Sequence, residues 1–313
     1  MKKLEKEALS ADRETVSRLL SSVDADDLVG QISLRSRLTE VDKKLSELES
    51  SYSTIGSVAL MFAGNPVRGS KSIDADFASK MIGVYQDLVS MRIATEETGR
   101  LGSRGPVRFH TESALSITDV VRGSVGFVLE EACINHSLDD TAVKIAIDEV
   151  SKVIERTASE SEADFEEAVE TLDPRILSSL AEFFGTLDEG QATVRIVEDE
   201  RDSSLDTRAI KRARDRVDKT TIEEKDDDSI IGTLHGIVTH AKRFELRLSD
   251  GRVIWGNVAA AVTPQYLALI SDPTTSPVGK RWRVKMRIRE VKERNKEPRL
   301  IYTLLGLLEE YAS

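Results

Sequence analysis

Residues 280–289 read Lys-Arg-Trp-Arg-Val-Lys-Met-Arg-Ile-Arg, and cationic side chains alternate with apolar ones along this stretch. A period of two places successive side chains on opposite faces of a β-strand. We therefore predict a strand whose apolar face enters a core: Trp282, Val284, Met286 and Ile288. The opposite face carries five cations, which we call the cationic stripe: Arg281, Arg283, Lys285, Arg287 and Arg289.

Further strand candidates lie on both sides of this stretch. Asp250-Gly251 predicts a hairpin turn, and Thr263-Pro264 predicts the start of a short helix. The five strand candidates are residues 230–238, 244–248, 253–258, 282–291 and 300–307. Three strands, a helix and two more strands predict a small basic β-barrel of the OB-fold or SH3-like type over residues 230–313.

Charge is distributed unevenly along the chain. Residues 229–313 carry 14 basic and 8 acidic side chains, a net charge of +6, whereas residues 1–228 carry 30 and 47, a net charge of −17. The change falls at residues 220–229, a run dense in acidic side chains. Such a run buries little apolar surface, so we predict that residues 220–229 form a charged linker.

The N-terminal 52 residues are predicted to be helical and coiled-coil-like. Their apolar seam recurs at spacings of four and three residues: Leu34, Leu38, Val41, Leu45 and Leu48. The seam lasts about two heptads, which is short for an independent coiled coil. The pattern favours a helical hairpin that packs on its own domain, with homo-oligomer formation through these helices as the alternative.

Residues 53–219 alternate helices and strands in blocks, which favours a central α+β domain over a regular βαβ winding. Strands are predicted at residues 58–62, 107–110, 115–121, 125–129 and 192–197. One helix is predicted to begin at Ser72 or Asp74, and a second follows a capping pair formed by Ser137 and Asp140. A third begins at Pro174, and a fourth covers residues 207–219.

Composition narrows the class of protein. A chain of 313 residues with 40% hydrophobic residues is long enough for two or three domains. A single cysteine, Cys133, allows no internal disulfide and favours a cytoplasmic location. The N-terminal residues lack the apolar segment of a signal peptide, and Pro264 interrupts the longest uncharged run. We therefore predict no membrane contact.

The sequence contains no set of residues typical of an active site. The four histidines lack metal-ligand spacing, and there is neither a Gly-x-Ser-x-Gly motif nor a credible Cys/His pair. No catalytic residue, metal ligand or cofactor is predicted. This favours a non-enzymatic binding or adaptor protein.

The loop at residues 64–72 is close to a phosphate-binding loop, Gly-x-x-x-x-Gly-Lys-[Ser/Thr], but Ser70 separates its second glycine from Lys71. This register misaligns the backbone N–H groups for a nucleotide. A helix N-terminus that holds an anion through Arg68 and Lys71 is the simpler prediction. A phosphate-ligand sensor or enzyme built around Arg68, Lys71 and Arg122 is the alternative function.

The cationic stripe predicts an anionic partner, because like charges on one strand face repel each other. Lys292 and Arg294 extend the stripe into the next turn. We expect contacts with the backbone of nucleic acid, or with an acidic protein surface. Two further interpretations are a solvated edge strand and docking on the acidic portion of the same chain. The few aromatic residues in this part argue against tight recognition of single strands.

Two motifs carry a resemblance to a known set of proteins. Gly-Asn-Pro-Val-Arg-Gly-Ser-Lys-Ser-Ile-Asp-Ala-Asp-Phe at residues 64–77 and Arg-Gly-Ser-Val-Gly-Phe-Val-Leu-Glu-Glu at residues 122–131 resemble an uncharacterised family of bacterial cytosolic proteins. The resemblance covers about two-thirds of the chain and implies no activity. It suggests that the Gly/Arg motifs and the barrel occur together, with Arg68 and Arg122 lining one site. A structural subunit of a bacterial assembly, such as a defence system, is the third candidate.

Overall fold

The structure is a computed structural model, and it describes most of the chain. The described ranges are residues 2–24, 26–50, 53–98, 101, 105–107, 109–121, 125–132, 139–199, 201–238, 242–259, 276–294 and 296–311. Arg122, Cys133 and the helix predicted to begin at Thr263 lie outside them. Over these ranges the fold is mixed α+β, with seven helices and twelve strands. No helix in the same ranges is long and apolar enough to cross a membrane.

The N-terminal segment is a helical hairpin of α1 (Lys2–Ser22) and α2 (Leu28–Ser50). Val41 of the predicted seam is fully buried. Ion pairs join the two helices, as between Arg13 Nε and Asp42 Oδ1 at 2.6 Å. Leu4 of α1 packs on the sheet described next, so the hairpin lies against its own domain.

A five-stranded antiparallel sheet follows in the order β4-β5-β1-β6-β7. Its strands are β1 (Ser57–Gly64), β4 (Leu115–Val121), β5 (Val125–Glu131), β6 (Ala192–Glu198) and β7 (Asp202–Leu205), and a small hairpin pairs β2 (Val67–Arg68) with β3 (Ser72–Ile73). β1 is central and its first six residues are buried, as its apolar sequence requires. Residues 109–113 form turns, and no strand is present at the described residues 107, 109 and 110, where one is predicted.

Side chains that cap their first turns set where the helices begin. The remaining helices are α3 (Ala75–Thr98), α4 (Ala142–Ala158), α5 (Glu162–Thr171), α6 (Pro174–Glu189) and α7 (Thr207–Lys219). Asp74 accepts a hydrogen bond from the Phe77 N–H at 2.9 Å, and Asp173 accepts one from the Arg175 N–H at 2.9 Å. At α4 the hydroxyl of Thr141, rather than the predicted Asp140, accepts from the Lys144 N–H.

The C-terminal strands form a sheet that closes on itself, which we call the ring. Its strands are β8 (Thr220–Val238), β9 (Arg243–Leu248), β10 (Val253–Val258), β11 (Arg281–Glu293) and β12 (Arg299–Tyr311). They pair in the order β8-β9-β10-β12-β11 and back to β8, and only the β10–β12 pair is parallel. Side chains buried inside the ring include Leu234, Phe244, Leu246, Ile254, Met286 and Leu304.

Residues 220–229, predicted as a charged linker, instead form the first half of β8. They pair with β11 from Thr220 opposite Glu293 to Asp227 opposite Met286. Ile222 is buried, and the neighbouring acidic side chains face cations of β11. Electrostatic pairing with a distant strand therefore orders a segment whose own composition indicates a linker.

The described chain divides into two compact units. The first comprises residues 1–90, 109–155 and 185–210, and it contains the helical hairpin and the five-stranded sheet. The second comprises residues 91–108, 156–184 and 211–313, and it contains the ring and α5. Each unit thus combines separate stretches of sequence, whereas the predicted domains, 53–219 and 230–313, are continuous.

Candidate nucleic-acid interface

The cationic stripe lies on β11 as predicted, but two of its arginines are buried. Arg287 and Arg289 are each 8% exposed. Arg287 Nε lies 3.2 Å from Glu224 Oε1 and 3.1 Å from Asp226 Oδ1, and Arg289 Nε lies 2.9 Å from Glu224 Oε2. Arg289 also donates to the carbonyl of Glu170. Their charges are neutralised within the protein, so neither guanidinium is available to a phosphate.

Of the other cations of the stripe and of its extension, two pair with carboxylates and three do not. Arg283 pairs with Glu309 at 3.3 Å, and Lys292 pairs with Glu223 at 3.0 Å. Arg281, Lys285 and Arg294 are exposed, and none of them has a carboxylate within 4.0 Å among the described residues. Arg281 donates to the hydroxyl of Ser249.

A second exposed surface lies on the outside of β9 and β10. Trp255 on β10 is 68% exposed. The guanidinium carbon of Arg243 lies 6.0 Å from the centroid of its ring, within the range of a cation–π contact. Arg247 on β9 is also exposed and lies opposite Val253. We call this surface the outer face; it consists of Arg243, Arg247, Val253, Trp255 and Arg281.

Strand register brings Arg281 of the stripe into this surface. Arg247 lies opposite Thr233 on β8, and Thr233 lies opposite Arg281 on β11. The three residues form one row across the sheet, with their side chains on the outside. Arg281 therefore shares a face with Arg247, whereas Arg287 and Arg289 do not present free charges there.

The alternation of β9 and β10 explains why these side chains point outward. Phe244, Leu246 and Ile254 are buried in the ring, so their neighbours on each strand must face out. The turn between the strands has Gly251 at φ +87°, in the left-handed region that favours glycine. The length of this turn fixes the register between β9 and β10, and this register places Trp255 opposite Glu245.

The outer face keeps a positive charge. Glu245 is the acidic residue between Arg243 and Arg247 on β9, and its carboxylate lies 3.6 Å from Nδ1 of His235. Within the described part of the chain, neither Arg243 nor Arg247 has a carboxylate within 4.0 Å. The face thus joins an open aromatic surface to unneutralised guanidinium groups, the combination that binds bases and phosphates of single strands.

Composition alone does not identify Trp255, because the ring has few aromatic residues and its core requires some of them. The signal that identifies it is local. Phe244, Leu246 and Leu248 fix the inward face of β9, and the Asp250-Gly251 turn then sets which residues of β10 lie opposite. With this register, the alternation of side chains along β10 places Trp255 on the outside of the ring.

The predicted anion site is only partly described. Arg68 and Lys71 are exposed on the β2–β3 hairpin, and Arg122 lies outside the described residues. Lys71 and Ser70 line an open cavity of about 750 Å³ together with residues 117–121 of β4. Asp74 already accepts a hydrogen bond at the start of α3, so its carboxylate competes with any anion at that helix N-terminus.

Among the described residues, no three His, Cys, Asp or Glu side chains converge in a way that could hold a metal ion. Comparison with family models, with curated proteins and with solved structures finds no match to this chain.

Proposed function

We propose that this protein binds single-stranded nucleic acid through the outer face of the ring. The observation that carries the proposal is the exposure of Trp255, 68%, between two arginines that lack carboxylate partners among the described residues. A base stacks on the indole, and Arg243, Arg247 and Arg281 contact the flanking phosphates. The role is that of a binding or adaptor protein rather than an enzyme.

Ring topology supports the choice of this face. The first strand of the ring pairs with the second and fourth, and the third pairs in parallel with the fifth. This order of strands favours an OB-type barrel, a type in which the face of strands two and three binds oligonucleotides. Here those strands are β9 and β10, the strands that carry Trp255, Arg243 and Arg247.

The contacts on this face set the expected energetics. Stacking of a base on an aromatic side chain contributes about 1–3 kcal/mol. Three arginines that neutralise three phosphates of a single strand give a slope of log K against log salt of about −2. Binding is therefore moderate and salt-sensitive, with little dependence on base sequence.

Anisotropy titrations of labelled oligo(dT) and oligo(U) with the full chain test the proposal. Trp255→Ala is expected to weaken binding about 5- to 150-fold, the range that corresponds to the lost stacking energy. Trp255→Phe keeps an aromatic surface and retains most of the affinity. Leu300→Ala is the matched control, because Leu300 is an exposed apolar residue on β12, 52% accessible.

A second pair of variants separates phosphate contacts from stacking. Arg247→Ala is expected to reduce the salt slope by about 0.7, the contribution of one phosphate contact. Arg208→Ala removes an exposed arginine from α7 and leaves the slope unchanged. Equal affinity of wild type and Trp255→Ala would refute the proposed stacking. Failure of the wild-type chain to bind at low salt would refute nucleic acid as the partner and direct the search to acidic protein surfaces.

A phosphate-bearing small molecule is a second candidate ligand, favoured by the cavity of about 750 Å³ beside Lys71. Stabilisation of the chain against heat by a panel of nucleotides, lost in Lys71→Ala, would support this function. An identical melting temperature with and without every nucleotide would exclude it.

A further inference from the structure

An acidic side chain lies in the middle of the outer face. Glu245 occupies β9 between Arg243 and Arg247, and 54% of its side chain is exposed. A negative charge at this position repels the phosphates that the two arginines attract. Glu245 therefore weakens a contact with the nucleic-acid backbone, and neither stacking nor phosphate binding gives this residue a role.

Strand register places Glu245 beside the stacking surface. The residue lies opposite Trp255 of β10 in the antiparallel pair of the two strands. Residues directly opposite each other in such a pair have Cβ atoms about 5 Å apart and side chains on the same face. Trp255 is 68% exposed, so a base that stacks on its indole has an edge within reach of the Glu245 carboxylate.

A β-bulge in β8 shapes the surface on the other side of Glu245. Leu234 pairs with Leu246 and Gly236 pairs with Glu245, so His235 is an extra residue on β8. The bulge brings Nδ1 of His235 to 3.6 Å from Oε1 of Glu245. A Cβ at Gly236 would meet no atom within 4 Å. Open space therefore lies next to the carboxylate.

Both oxygens of the Glu245 carboxylate are available to a ligand. Within the described part of the chain, no side chain or backbone N–H donates a hydrogen bond to either of them. The contact with His235, 3.6 Å, is longer than a hydrogen bond of about 2.7–3.2 Å. A carboxylate with two open oxygens accepts most strongly from a ligand that carries two adjacent donors.

We infer, on the basis of the proposed function, that the outer face prefers guanine and that Glu245 sets this preference. Guanine carries two adjacent donors on its Watson–Crick edge, N1–H and the 2-amino group, which match the two carboxylate oxygens. Adenine and cytosine each have one amino group beside a ring nitrogen that accepts. Thymine and uracil have one N–H between two carbonyl oxygens. In these four bases the acceptors repel the carboxylate.

Base preference and salt dependence come from different groups of the outer face. Stacking on Trp255 and neutralisation of phosphates by the arginines discriminate little between bases. Glu245 adds the discrimination, and water competes for its hydrogen bonds because the side chain is half exposed. Guanine is therefore expected to bind about five- to tenfold more tightly than adenine, at the low end for a bidentate contact with a base.

Short oligo(dT) strands with one substituted central base measure this preference in anisotropy titrations with the full chain. The central base is guanine, hypoxanthine or adenine. Adenine controls for the stacking of a purine, and hypoxanthine keeps N1–H but lacks the 2-amino group. Affinity is expected to decrease in the order guanine, hypoxanthine, adenine. Equal affinity for guanine and adenine would overturn the guanine preference and leave the proposed function intact, whereas no binding of any strand at low salt would refute both.

Glu245→Gln tests the residue itself. The glutamine amide has one oxygen that accepts and one NH₂ group that donates, so it does not accept from both donors of guanine. The variant is expected to lose the preference for guanine. It is also expected to bind unsubstituted oligo(dT) more tightly at low salt, because a charge that repels phosphates is removed. A loss of folded protein would weaken both interactions, so it cannot produce this pair of results.

Glu223→Gln is the matched control. Glu223 is an exposed glutamate of the same ring, with 62% of its side chain accessible, and it lies on the part of β8 that pairs with β11 rather than β9. This variant is expected to keep the wild-type preference for guanine. A preference that persists in Glu245→Gln would overturn the role of Glu245 and assign the discrimination to an arginine, which binds O6 and N7 of guanine.

Discussion

The buried charge cluster of the ring predicts a large difference between two adjacent glutamates. Glu224 has 5% of its side chain exposed and accepts from Arg287 and Arg289. Glu223 has 62% of its side chain exposed and pairs with Lys292. The same substitution at these two positions therefore removes a buried acceptor in one variant and a solvated one in the other.

Glu224→Gln is expected to lower the free energy of unfolding of the ring by about 3–5 kcal/mol, the usual cost of removing one partner from a buried ion pair. Two guanidinium groups would remain buried after the loss of this carboxylate, although Asp226 Oδ1 still lies 3.1 Å from Arg287 Nε. Glu223→Gln is expected to leave stability close to that of the wild type, because exposed ion pairs contribute little.

Urea denaturation monitored by tryptophan fluorescence measures this difference. Both tryptophans, Trp255 and Trp282, belong to the ring, so their emission reports on its unfolding. Midpoints that shift equally in the Glu223 and Glu224 variants would refute the burial of the cluster. A large shift in the Glu223 variant alone would reverse the assignment of which acid faces the protein interior.

Two further predictions concern strand closure and pH. A Cβ at Gly256 would lie 2.0 Å from the carbonyl oxygen of Tyr302, so Gly256→Ala is expected to disrupt the β10–β12 pair. Gly306→Ala is the control, because a Cβ at Gly306 meets no atom within 4 Å. Melting curves are expected to show a lower melting temperature for the Gly256 variant and an unchanged one for the Gly306 variant. Burial raises the pKa of Glu198 to about 7 in the folded chain, above its value in the unfolded chain. Ionisation of this carboxyl group therefore opposes folding. The cost is absent below about pH 4 and complete above about pH 7. Glu198→Gln should accordingly stabilise the chain at pH 8 and have little effect at pH 4; equal effects at both pH values would contradict the raised pKa.

Much of the fold follows from local sequence patterns. The alternation of residues 281–289 gives β11, and the Asp250-Gly251 turn gives the β9–β10 hairpin. The apolar seam gives the N-terminal helices, and Asp74 and Asp173 mark helix starts. Each of these features depends on residues close in the chain, which is why the sequence alone predicts them.

Features that depend on distant pairs are the ones that sequence patterns miss. Residues 220–229 look like a linker because they are rich in acids, yet Glu224 and Asp226 face the arginines of β11 more than 60 positions away. The same pairing removes Arg287 and Arg289 from the predicted nucleic-acid surface. The available signal was the spacing of two residues that Glu224 and Asp226 share with Arg287 and Arg289, because residues two apart lie on the same face of a strand.

The two buried glutamates Glu224 and Glu198 differ in how the cost of their burial is offset. Glu224 receives two guanidinium groups, so its burial is offset within the fold. Glu198 is also buried, but one of its oxygens has no donor among the described residues, and the nearby cations Lys144 and Arg201 pair with other acids. A glutamine at position 198 would avoid most of that cost. Burial of a carboxylate is therefore stabilised at position 224 and destabilising at position 198, and the difference lies in the donors that each side chain receives.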